Sequence, residues 1–105
     1  MNNSTSGIRT AVAKNNYITS QHARQRMGLR GIIRDDILQT ILHGVIIEQN
    51  SNAYPHPKCL FMHPVLLGEP LYVACGYNMV KERAIIITVH WFDPDKWIDW
   101  YTRRR

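Results

Sequence analysis

Acidic residues are scarce in this sequence. Eight Asp and Glu stand against thirteen Lys and Arg, a formal charge of +5, which favours polyanionic partners such as nucleic acid. Long apolar runs are missing too. The longest are strand-length and far too short to span a bilayer, so no membrane partner is expected. Cysteine is limited to Cys59 and Cys75, too few for a disulfide framework. Both lie inside apolar segments, as buried thiols do in a reducing cytoplasm. In the short hairpin expected below they are not directly opposed, which argues against a bond between them. Six glycines and five prolines in 105 residues, with no repeat, leave nothing for solenoid, collagen-like or low-complexity readings. The first sixteen residues lack the apolar stretch of a secretory signal, so a cytoplasmic protein is expected.

What is present is enough for one hydrophobic core. At 45% hydrophobic residues, a chain of this length buries roughly two-thirds of its unfolded surface. The Asn-, Ser- and Thr-rich segment 1–16 reads as a flexible N-terminal arm, and 17–105 as a single domain. Thr19 suits the N-cap of a helix over about Ser20 to Leu29, ended by Gly31. Asp35 or Asp36 can cap a second helix whose Ile37, Leu38, Ile41 and Leu42 form a buried stripe and which stops at Gly44. Strands are expected at Val45–Gln49, Cys59–Leu66 (with Pro64 marking an edge or bulge), Leu71–Tyr77 and Ala84–Phe92. In the last of these, Ile85, Ile87, Val89 and Trp91 should face the helices and leave Thr88 and His90 on the open face. Asp93-Pro94 opens a short C-terminal helix carrying Trp97, Trp100 and Tyr101. The expected fold class is α+β: two N-terminal helices packed on a roughly four-stranded antiparallel sheet, with that short helix at the end.

Two constellations carry chemistry. On the first helix, His22, Arg26 and Arg30 recur every four residues and share a face. One imidazole beside two guanidiniums supplies both a proton acceptor and cations for a phosphate whose charge grows during cleavage. A solvated basic face accounts for the same spacing. On the sheet, alternation points Tyr72, Thr88 and His90 one way, which suits proton transfer and phosphate binding or equally an ordinary polar sheet face. Arg24 and the terminal Arg103, Arg104 and Arg105 add basic residues for RNA. His56, Cys59 and His63 match no strong zinc spacing, so neither metal nor cofactor is expected.

Several segments, taken together, resemble a known family. These are Ile18-Thr19-Ser20-Gln21-His22-Ala23-Arg24-Gln25-Arg26-Met27, then Arg30-Gly31-Ile32, Gly44-Val45-Ile46-Ile47-Glu48, Tyr54-Pro55-His56-Pro57, Gly68-Glu69-Pro70-Leu71, Ile87-Thr88-Val89-His90, Asp93-Pro94 and Trp97. The pattern resembles a bacterial family known only as domain of unknown function 4258. The resemblance implies a RelE-like, barnase-related fold and the toxin side of a bacterial toxin–antitoxin pair, with a cognate antitoxin protein as partner. It carries the motif His, Arg and Thr onto His22, Arg26 and Thr88. Tyr72 and His90 depart from it, each standing where the other residue type is expected.

The reading that follows is a metal-independent endoribonuclease. His22 takes the 2′-hydroxyl proton, Arg26 and Arg30 hold the phosphate, Thr88 orients it, and His90 or Tyr72 protonates the leaving oxygen. The alternative is a non-catalytic basic binding module, an inhibitor or a partner-docking protein. A catalyst needs His22 across one cleft from His90 or Tyr72, and a docking face does not.

Overall fold

The computed structural model describes residues 4–65 and 68–104. It contains three helices, α1 (Ser4–Ala13), α2 (Gln21–Arg30) and α3 (Arg34–His43), and five strands, β1 (Tyr17–Thr19), β2 (Val45–Asn50), β3 (Lys58–Pro64), β4 (Pro70–Asn78) and β5 (Arg83–Trp91). The strands form one sheet in the order β1-β5-β4-β3-β2, in which β1 runs parallel to β5 and the other pairs are antiparallel. The expected arrangement of two helices, four antiparallel strands and a C-terminal helix is therefore corrected to three helices on a five-stranded mixed sheet. Leu66 and Leu67, at the end of one expected strand and the start of the next turn, lie outside the described residues, as does Arg105. No helix among the described residues is long and apolar enough to cross a membrane.

Much of the segment expected as a flexible arm is α1. Its composition is polar, but Ile8, Ala11 and Val12 sit at i, i+3 and i+4 and enter the core as a unit. Gly7 lets the helix lie flat on Tyr77, because a β-carbon there would come within 2.6 Å of the ring. Arg9 then ties α1 to the end of α3 through the carbonyls of Ile41 and Gly44. Ser20, not Thr19, caps α2: its Oγ accepts from the Ala23 N–H at 3.0 Å. Thr19 belongs to β1 instead. Gly31 closes α2 in the left-handed conformation at φ 64° and donates to the Met27 carbonyl. Asp35 and Asp36 sit in the first turn of α3, where the helix dipole favours them, but Ile33 occupies the cap without a side-chain bond.

The main core lies between the sheet and α1 and α3, where Ile8, Ile37 and Ile41 meet Phe61, Leu71, Val73 and Val89. Each such side chain contributes roughly 1.5–3 kcal/mol of burial. The β5 pattern departs from strict alternation. Ala74 pairs with Thr88 but Cys75 pairs with Ile86, so Ile87 is an extra residue opposite β4. Before this bulge Ala84 and Ile86 are the core residues, after it Val89 is. Ile85 and Ile87 consequently fall on the opposite face, against expectation, while Thr88 and His90 keep theirs. Cys59 and Cys75 are also corrected: they are register partners on β3 and β4, both buried and both free thiols. Pro64 ends β3, an interior strand, and so removes no ladder bond from its middle.

Beyond β5 the chain makes one helical turn, in which the Lys96 and Trp97 N–H groups donate to the Asp93 carbonyl, and then leaves it. Asp99 stops any longer helix by accepting from the Tyr101 and Thr102 N–H groups. The segment folds back as an irregular strap closed by a bridge between Trp97 and Arg103.

Candidate functional site

The open face of the sheet is built in rows. Pairing aligns Thr88 on β5, Ala74 on β4, Leu60 on β3 and Glu48 on β2 in one line across four strands. The neighbouring row in one direction is His90, Tyr72, Met62 and Val45. In the other direction lie Ile85, Gly76, Lys58 and Asn50. The small side chain of Ala74, in the middle of β4, leaves a hollow in its row, whereas the space over Gly76 is taken by Ile87 and His56.

The α2 helix forms one wall of this hollow because it takes over from β1 along the edge of β5. Ser20 N–H donates to the Ile86 carbonyl, Ser20 Oγ to the Ile87 carbonyl at 2.8 Å, and Arg30 Nη1 to the Val89 carbonyl at 3.2 Å. Trp91 Nε1 answers by donating to the Arg30 carbonyl. Ala23 is buried in the core, while His22, Arg26 and Arg30 project to the open side.

The strap forms the opposite wall. Trp97, fully buried, stacks on Tyr72 at 4.8 Å, and Tyr72 lies parallel to His90 at 4.9 Å. Arg103 lies over the Trp97 ring at 4.5 Å and grips Glu48 with two bonds of 2.8 Å. That bidentate bond holds the Glu48 carboxyl below its ordinary range.

The resulting cavity has a volume of about 790 Å³. Arg26, Arg30, Lys58, Lys96 and Arg103 line it, against one carboxylate, Glu48. His22 on α2 and His90 on β5 line it together with Thr88. Burial, followed by the positive charges of Arg30, Lys96 and Arg103, pushes the His90 imidazole down to about 4. It is neutral at pH 7, and its buried Nε2 has no hydrogen-bond partner. An anion in the cavity would offset the cations that add to the effect of burial.

The sequence-derived candidates separate cleanly. His22, Arg26, Arg30, Thr88, His90 and Arg103 meet in this cavity. Tyr72 does not line it: the ring is fully buried, and its hydroxyl donates to the Trp100 carbonyl at 2.8 Å. Burial, then the Asp99 charge, lifts that phenol to about 12. Tyr72 is thus part of the stack that supports His90. Arg24 faces a second, smaller cavity with Tyr17, Met27 and Arg34. Arg104 donates to the Pro94 carbonyl and fastens the strap. Lys58, Asn50, Leu60 and Ala74 escaped sequence reading, since only the strand register brings them to the cavity, and Lys96 is brought there by the strap. Among the described residues no group of three or more His, Cys, Asp and Glu could hold a metal ion.

Fold and site together define a small mixed-sheet domain with a cationic, two-histidine cavity on the sheet face opposite α1 and α3, walled on one side by α2. The family described as Domain of unknown function (DUF4258) matches residues 19–91, and the chain belongs to it. The match runs from the last residue of β1 to the end of β5 and includes His22, Arg26, Thr88 and His90, while Lys96 and Arg103 lie beyond it. No curated protein and no solved structure matches the chain.

Proposed function

We propose that the cavity binds the phosphate backbone of RNA and cleaves it by attack of the 2′-hydroxyl on the adjacent phosphorus. The observation that carries this reading is the meeting of His22, Arg26, Arg30, Thr88 and His90 in one cavity with three further cations. Arg26 and Arg30 take the non-bridging oxygens, the guanidinium fork suiting phosphate, and the Thr88 hydroxyl donates a further bond.

His90, neutral at pH 7, accepts the 2′-hydroxyl proton, and His22 gives one to the departing 5′-oxygen. The bond from phosphorus to that oxygen breaks as the 2′-oxygen bond forms, leaving a 2′,3′-cyclic phosphate and a 5′-hydroxyl. Tyr72 has no part in the transfer, since its proton is committed to the Trp100 carbonyl. In this reading the chain is a toxin-type ribonuclease restrained by a cognate antitoxin protein, as the family resemblance implies.

The test is incubation of the purified protein with total RNA, with and without a chelator, beside His22→Ala. Cleavage that persists in chelator, yields cyclic phosphate ends and disappears in the variant supports the proposal. Tight RNA binding without cleavage favours the docking module, and cleavage restored only by added Mg²⁺ or Zn²⁺ rejects the mechanism.

A further inference from the structure

The cavity is longer than a phosphate needs, and its chemistry changes along its length. From β5 to β2 it crosses three strand spacings, about 14 Å. At the β5 end stand Arg26 and Arg30, and at the β3 and β2 end stand Lys58 and, through Glu48, Arg103. Between them the floor is Ala74 and Leu60, with no charge. A site for a bare polyanion has no use for an apolar centre. The order of cation, apolar floor and cation matches phosphate, base and phosphate along one strand of nucleic acid.

We infer that Ala74, flanked by Leu60 and Thr88 in its row, floors a nucleobase subsite, so that the cavity takes single-stranded RNA laid across the strands. The inference rests on the RNA reading above and adds the class of substrate. Ala74 is the small member of its row, and the depression it leaves suits the flat face of a base. Asn50 lines the β2 end of the cavity, in the row next to Leu60, with its amide fixed, Oδ1 accepting from the Asn52 N–H at 3.1 Å. That bond leaves the NH₂ as the amide's donor toward a base edge. Bases in a duplex have both faces stacked and cannot reach a floor walled by α2 and the strap.

The experiment uses wild-type protein and four probes: inorganic tripolyphosphate, a single-stranded RNA hexamer with 2′-O-methyl riboses to prevent cutting, its abasic counterpart, and a duplex of the same sequence. The hexamer should bind about tenfold more tightly than the abasic strand, and the duplex more weakly than either. Ala74→Leu, which fills the hollow, should bring the hexamer down to the abasic affinity while leaving tripolyphosphate binding unchanged. Equal binding of hexamer and abasic strand overturns the base subsite, as does an Ala74→Leu protein that keeps the full preference. Should Ala74→Leu fail to fold, the abasic comparison on wild type decides alone. Failure of every probe, tripolyphosphate included, rejects the RNA reading itself and is thereby distinct from failure of the subsite.

Discussion

The two faces of this sheet are made by the same strands and built on opposite principles. Toward α1 and α3 the strands present Phe61, Leu71, Val73, Ile86 and Val89, packed to exclusion of water. On the other side they present Thr88, Ala74, Lys58 and Asn50 around a hollow, beside a Tyr72, Trp97, Met62 and Leu60 cluster packed under the strap. One face is filled to the density that stabilises a fold. The other keeps empty volume, an excess of positive charge over its one carboxylate, and a buried His90 Nε2 with no hydrogen-bond partner, features that cost stability rather than add to it.

If that division holds, damage to the two faces should show up in different measurements. The largest effect belongs to the packed face. Phe61→Ala should cost about 3–5 kcal/mol in denaturant unfolding, with RNA affinity lost only in proportion to the unfolded fraction. Next is His22→Ala, which should lower RNA cleavage by about 10²- to 10⁴-fold and leave the melting temperature in place, because His22 is exposed. An equal loss of stability would make it a structural residue.

A pH series sharpens the comparison further. The folded His90 value lies near 4, below its ordinary 6.5, so the unfolded chain binds the proton first. Stability from neutral His90 is complete above pH 6.5 and is lost as the pH falls toward 4. Lowered Glu48 acts in the same direction, since protonating it releases Arg103. The wild-type melting temperature should therefore drop on acidification, and His90→Gln should flatten the curve between pH 6.5 and 4. A wild-type curve that is flat there contradicts the burial of His90. The smallest effect is expected from Glu48→Gln. An ion pair this exposed is worth no more than about 1 kcal/mol, so Tm should move little while RNA binding tightens as a competing carboxylate is removed.

Sequence reading reached the site through local periodicity and stopped where register began. The four-residue spacing of His22, Arg26 and Arg30 depends on one helix alone and carried directly into the cavity. Thr88 and His90 came through because both follow the β5 bulge, whereas Ile85 precedes it and was assigned to the wrong face. No propensity marks Ile87 as an extra residue, since the bulge is set by pairing with β4. The helix α1 was missed because three apolar residues among Ser, Thr and Gly give a weak stripe that only the Tyr77 and Cys59 side of the sheet rewards. The parallel strand β1 was missed because three residues carry no readable alternation. Asp93-Pro94 did start a helical turn, but Asp99 redirected the chain, and the Arg103 bond to Glu48 spans 55 positions that local pattern cannot link.

The central claim is that phosphate is held on the open face rather than by a diffuse basic surface. Arg24 and Arg26 test it, being two residues apart on α2 with the same charge but facing different cavities. RNA affinity measured against salt concentration for Arg24→Ala and Arg26→Ala compares them directly. The account predicts that Arg26→Ala weakens binding and reduces the salt slope by about one contact, with Tm unchanged or slightly raised as the repulsion from Arg30 is relieved. Arg24→Ala should leave affinity and slope near wild type. Equal losses from the two substitutions, or an Arg26→Ala protein that binds RNA as well as wild type, would contradict it.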